Sequence, residues 1–270
     1  MSGDSRDTAD DRTAPVGAAA TVVAVARALR RADATFVAGS LAYYSIVAVL
    51  PVAVLAVALV AAVGGRPVAA GAVAAGGDLL TERGRTFLRG SLGDVADRRG
   101  IAVVAGLLVC FSVVQLFRGL DRAFAAVYRG DERGILSRLR DTLFAFGVGA
   151  LGVAAVVVAG GALSLYANES LVRVAVPATV FALSAVALFP LFYALPAAEV
   201  TRTEVVPGTV VAAAGWTLTG AVVARFAGGA GRIGIYGAIG GLVVLVTWFY
   251  AANLLVLVGA ATNAVLAGRA

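Results

Sequence analysis

The sequence predicts an all-α polytopic membrane protein: six transmembrane helices, an N-terminal interfacial helix and short helices on the outer surface. Three observations predict it. Of the 270 residues 60% are hydrophobic and 14% charged, with a mean hydropathy of +0.93. A soluble domain of that length cannot bury so much apolar surface. Second, no charge occurs between Asp33 and Arg66, Arg99 and Arg118, Asp141 and Glu169, Arg173 and Glu199, Glu204 and Arg225, or Arg232 and Arg269. Each of these gaps reaches the roughly 17–25 residues that a helix needs to cross hydrocarbon. Third, none of them alternates polar with apolar residues as a barrel strand does, and a helix pairs its own backbone groups where no water is present.

The elements follow in order. Residues 1–15, "MSGDSRDTADDRTAP", are polar, carry both charge signs and lack an apolar signal region, which predicts a disordered cytoplasmic tail. Residues 16–270 read as one membrane domain. Its first segment, "GAAATVVAVARALRRAD", is too short to cross and too apolar for a free tail. It predicts an interfacial helix with Arg27, Arg30 and Arg31 at the head groups. Spans follow at about 36–63, 101–117, 142–167, 174–196, 205–226 and 235–266. Between the first two, Leu79, Leu80, Phe87, Leu88 and Leu92 recur at near-helical spacing, as short helices lying on the outer surface would require. After the second span, Leu116, Leu120, Phe124 and Val127 share one helical face and Arg118, Asp121 and Arg122 the other, so the helix continues into the cytoplasm.

An even number of spans puts both termini on one side. The arginines at 27–31 and 118–140 place that side in the cytoplasm, although a second arginine cluster lies between Arg66 and Arg99. The tripeptide at Asn168–Ser170 would then face outward as a glycan acceptor.

Composition also excludes chemistry. There is no histidine, and the single cysteine, Cys110, lies in an apolar run, so neither a disulfide framework nor a metal cluster is expected. The formal charge of +6, all of it from arginine, fits anionic lipid head groups better than nucleic acid. "GAGRIG" at 229–234 has the spacing of a dinucleotide-binding turn but joins two spans instead of a strand and a helix, so it reads as a loop. No carboxylate occurs inside any span, which argues against proton or sodium coupling.

The first span supplies the candidate site. Its polar, aromatic turn, with Ser40, Tyr43, Tyr44 and Ser45, precedes Pro51 by about two turns, the arrangement by which broken helices build midplane sites. Ser112, Gln115, Thr217, Thr219, Thr247 and Asn253 are among the polar side chains of the other spans. Small residues four apart, at Gly208 and Ala212, Gly220 and Ala224, and Gly237 and Gly241, predict close helix contacts. Pro177 and Pro190 interrupt a span, and Pro196 and Pro207 flank the loop after it.

Five segments in order, "AGSLAYYSIVAVLP" (38–51), "GLDRAFAAVYRG" (119–130), "LFYALP" (191–196), "VVPGTVVAAAGW" (205–216) and "IYGAIGGLVVLVTWFYAANLLVLVGAATNAVL" (235–266), carry a resemblance. The chain, from about residue 30 onward, resembles the YihY/BrkB family of integral membrane proteins, once loosely labelled ribonuclease BN. The resemblance implies six spans with cytoplasmic termini. Tyr43, Pro51, Asp121, Pro196, Gly208, Tyr236, Gly237 and Gly259 match its pattern. Ser40 and Ala125 stand where the family often has asparagine, and Ala261 where it has glutamate.

The function expected from these readings is movement of a lipid or small amphiphile without ion coupling, in the cell membrane, with no enzymatic activity and no cofactor or metal. The site residues would be Ser40, Tyr43, Tyr44, Pro51, Asp121, Tyr236, Gly237 and Gly241. Expected partners are membrane lipid and a second copy or another membrane protein, and not nucleic acid. The alternative is a non-catalytic component that organises lipid or binds a partner. A ribonuclease, the old family label, would need an acid cluster or a histidine pair that the sequence does not offer.

Overall fold

The computed structural model describes residues 17–48, 86, 99–129, 169–196, 198–230 and 236–270. These form α1 (Ala18–Arg31), α2 (Ala34–Ala48), α3 (Arg99–Tyr128), α4 (Glu169–Ala194), α5 (Arg202–Ala230) and α6 (Tyr236–Leu266). No strand occurs among the described residues. Within α4, α5 and α6 the stretches Val174–Ala194, Arg202–Val223 and Gly240–Leu266 are long and apolar enough to cross a membrane. At 1.5 Å per residue the shortest, of 21 residues, extends about 32 Å, the thickness of a hydrocarbon core. The expected span 101–117 lies within α3, and the span at 36–63 is described only as far as Ala48. Pro51, Asn168, the span at 142–167 and the outer segment apart from Thr86 lie outside the described residues.

Side-chain chemistry explains where the helices begin and end. α1 ends at Arg31, and Asp33, with a φ of 45°, turns the chain before α2. The carbonyl of the same residue accepts the first bond of α2, from Val37 N at 3.0 Å. Thr201 and Glu204 start α5: the carboxylate reaches back to Thr201 N at 3.4 Å, as the glutamate of a capping box does. Pro177, Pro190 and Pro207 lie inside helices. Interruption at the first two therefore does not occur, because neighbouring helices can satisfy the backbone groups that proline frees. Pro207 lies one turn inside α5, not in a connection, since the helix already begins at Arg202.

α6 ends in a Schellman motif. Arg269 N bonds Ala264 O at 2.8 Å and Gly268 N bonds Val265 O at 3.1 Å. Gly268 turns the chain at φ +67°, where a side chain would clash with the backbone.

Burial is uneven along the bundle. The core gathers Ala28, Ala38 and Leu41 from α1 and α2, Leu120, Phe124 and Val127 from α3, Phe192 from α4, Val205 and Ala212 from α5, and Val256, Leu257 and Ala261 from α6. Among the described residues the far ends are bare: Leu107 is 65% exposed and Leu218 68%. Surface of that kind would drive aggregation in water, whereas hydrocarbon solvates it. The split face of α3 is as the sequence places it, with Leu120, Phe124 and Val127 buried and Arg118 and Arg122 exposed.

Small residues bring α5 and α6 together at one point. A β-carbon on Gly208 would collide with the Gly259 carbonyl and with Asn263. One on Gly259 would meet Phe192 at 2.7 Å and Ala212 at 3.1 Å. Gly220 and Gly241, in contrast, face no atom within 4 Å among the described residues, so the contact expected of them is absent there.

Candidate functional site

Uncharged polar side chains converge where α2, α3 and α6 meet. Gln115 Nε2 donates to the Tyr44 hydroxyl at 3.2 Å. In this pairing the phenol accepts and keeps its own O–H to donate. Ser45 Oγ donates to Leu41 O at 2.8 Å, which frees its lone pair for Asn253 Nδ2, a long contact of 3.5 Å. Asn253 also donates to Phe249 O at 2.8 Å, and it stands at the midpoint of the Gly240–Leu266 span. Beside it the Trp216 indole of α5 donates to Ala252 O at 2.9 Å. Ser112, one turn before Gln115 on α3, has a fully buried hydroxyl with no partner among the described residues. Midway through an apolar helix each such group is costly unless paired, so their concentration at one level marks it.

Tyr44 carries this layer to the surface. With Thr35, Phe36, Gly39, Ser40 and Tyr43 it lines an open groove of about 490 Å³. The rings of Tyr43 and Tyr44 meet edge to face at 5.3 Å, and Tyr44 reaches Phe111 at 6.3 Å. Tyr43 is 63% exposed, and Ser40 donates to Phe36 O at 3.2 Å. Ser40, Tyr43 and Tyr44 are thus together, whereas Asp121, Tyr236, Gly237 and Gly241 are not with them. Asp121 lies nine residues beyond Ser112 along α3, about 14 Å, and is half-buried. Tyr236 and Gly237 begin α6, and Gly241 lies about 18 Å along that helix from Asn253 with its face open. Four threonines of the spans are silent, because Thr209, Thr217, Thr247 and Thr262 each turn the hydroxyl onto the carbonyl four residues back.

A second polar group closes the buried end. Arg269 pairs with Glu204 at 3.1 Å and donates to Glu199 O at 2.6 Å. Nearby, Tyr128 stacks on Phe124 at 6.3 Å, and its hydroxyl is buried without a partner among the described residues. Burial pushes the phenol up to about 12; Arg269 pulls it down and Glu204 adds to the rise. One helical turn inward, Asn263 clamps α6 to α5. Its Oδ1 accepts from Gly208 N at 2.6 Å and its Nδ2 donates to Val205 O at 3.2 Å. Asn263 is 1% exposed.

Sequence reasoning passed over Asn263 and the Glu204–Arg269 pair. The signal for Asn263 was an amide four residues after Gly259 on an otherwise apolar helix end. Arg269 gave no such signal, since its partner is 65 residues away.

Among the described residues no group of acidic, histidine or cysteine side chains could hold a metal ion. Residues 25–270 match the family model described as Virulence factor BrkB. Comparison with curated proteins and with solved structures gave no match.

Proposed function

Since the chain belongs to the virulence factor BrkB family, we propose that this membrane protein crosses the cell membrane six times, with both termini in the cytoplasm. In this reading it moves a lipid or small amphiphile, without ion coupling and without enzymatic chemistry. One observation carries the reading: Tyr44 connects an open surface groove to an uncharged polar layer at the middle of a span. A head group crossing hydrocarbon needs hydrogen-bond partners at that depth, and Tyr44, Ser45, Ser112, Gln115 and Asn253 offer hydroxyls and amides. The layer holds no carboxylate, imidazole or amine, so it can exchange hydrogen bonds with a cargo but offers no such group to carry a proton against a gradient.

The test is reconstitution into liposomes containing a fluorescent phospholipid, with the outer leaflet bleached by dithionite. Tyr44→Phe removes only the hydroxyl and Gln115→Leu its partner. Each is expected to slow movement by about 5–30-fold, the effect of losing one or two kcal/mol of interaction in the barrier. Imposed proton or sodium gradients are expected to leave the wild-type rate unchanged. Wild-type rates in Tyr44→Phe, or a rate that follows a gradient, would remove the proposal.

A further inference from the structure

A second groove, of about 480 Å³, runs between α4 and α5 and is lined by Ala185, Val186, Phe189, Pro190, Val206 and Val210 with Thr209. The Thr209 hydroxyl is committed to Val205 O at 2.7 Å, so the walls present an apolar surface. Both walls belong to membrane-crossing stretches, and an alkyl chain is the filling they suit.

The end of the groove is less ordinary. Arg202 precedes Val206 by four residues and therefore lies on the same stripe of α5. Tyr193 follows Phe189 by four residues and continues the facing stripe of α4. Both are exposed, Tyr193 at 48%, and both flank the short connection at 195–201. The neighbouring acid, Glu204, is held by Arg269, and Arg202 has no carboxylate partner among the described residues. An exposed guanidinium and an amphipathic ring thus lie on the two helical stripes that continue one end of the apolar groove, at the level where a span meets the head groups.

We propose that the α4–α5 groove binds an anionic phospholipid, with an acyl chain along Val186, Phe189, Pro190, Val206 and Val210 and the phosphate on Arg202 beside the Tyr193 hydroxyl. Arginine suits this place because its fork of donors matches phosphate oxygens. The site shares no lining residue with the Tyr44 groove and stands whether or not the protein moves lipid.

The full chain, reconstituted in vesicles of equal phosphatidylglycerol and phosphatidylcholine and extracted in mild detergent, is examined by native mass spectrometry for retained lipid. Wild type is expected to retain phosphatidylglycerol about fivefold over phosphatidylcholine, the effect of one surface arginine near anionic lipid. Arg202→Gln is expected to reduce that ratio to about one, while Arg202→Lys, which keeps the charge, preserves most of it. Val210→Trp, which fills the groove from an exposed position, lowers retention of both lipids. The double change Arg30→Gln and Arg31→Gln, on the exposed face of α1, leaves Arg202 in place and is expected to lower the ratio less than Arg202→Gln does. Full selectivity in Arg202→Gln overturns the proposal, and so does its loss in the double variant instead. Equal loss in Arg202→Gln and Arg202→Lys, with native elution on gel filtration, also overturns it.

Discussion

Tyr128 shows what a single buried hydroxyl does to the response of the whole chain to pH. Its phenol is raised from 10.0 to about 12, chiefly by desolvation. The unfolded chain loses this proton above pH 10 while the folded chain holds it to about 12. Between those values the unfolded state binds fewer protons, and stability falls as pH rises. Two pH units correspond to about 2–3 kcal/mol at most. Tyr128→Phe keeps the stack on Phe124 and removes the titration, so the alkaline decline in thermal midpoint between pH 10 and 12 is expected to flatten. At pH 7 the variant should be at least as stable, since it also removes an unpaired buried oxygen. An unchanged alkaline slope would falsify the assignment.

Residue by residue, the sequence showed polarity more readily than partnership. Ser45, Gln115 and Asn253 stand out in apolar runs, but that they meet one another at Tyr44 depends on helix rotation, which apolar periodicity cannot fix where lipid and core are equally apolar. Gly237 and Gly241 looked like a packing face for the same reason. Gly241 is open, and the close approach is made by Gly208 with Gly259.

At the scale of the element, α5 and α6 make the firmest pair. Their backbones touch where neither helix has a side chain, and Asn263 bridges the contact with two hydrogen bonds. Gly208→Ala forces a methyl group into the Gly259 carbonyl and is expected to destabilise the purified protein by about 1–3 kcal/mol, the usual effect of overpacking. Gly241→Ala, on an open helical face, should be neutral or stabilising by up to about 1 kcal/mol. Equal thermal midpoints for the two variants would refute the crossing. The extents of α4, α5 and α6 were legible because hydrocarbon excludes charge, a rule that acts on sequence directly. Their prolines misled because a packed helix tolerates the loss of a bond that an isolated one would not.

For the whole molecule, orientation is the proposal most open to measurement. In a Cys110→Ala background, cysteine at Gly17 or at Ala270 is expected to react with an impermeant maleimide only after the cells are permeabilised. Reaction at either position in intact cells would overturn the cytoplasmic placement of the termini. At this scale the sequence conveyed class and membrane character well. It did not convey the lopsided distribution of the core, because Phe124 and Phe192, fully buried, are no more apolar in sequence than Phe111, which is 55% exposed.

Among the described residues, that lopsidedness would make the Gly208–Gly259 crossing a fulcrum. Gly241 lies 18 residues from Gly259 on α6, a lever arm of about 27 Å. A pivot of about 10° that leaves the Asn263 bonds intact would carry that far end through about 5 Å. Any such pivot would be amplified away from the knot, toward the end of the bundle where Leu107 and Leu218 are exposed.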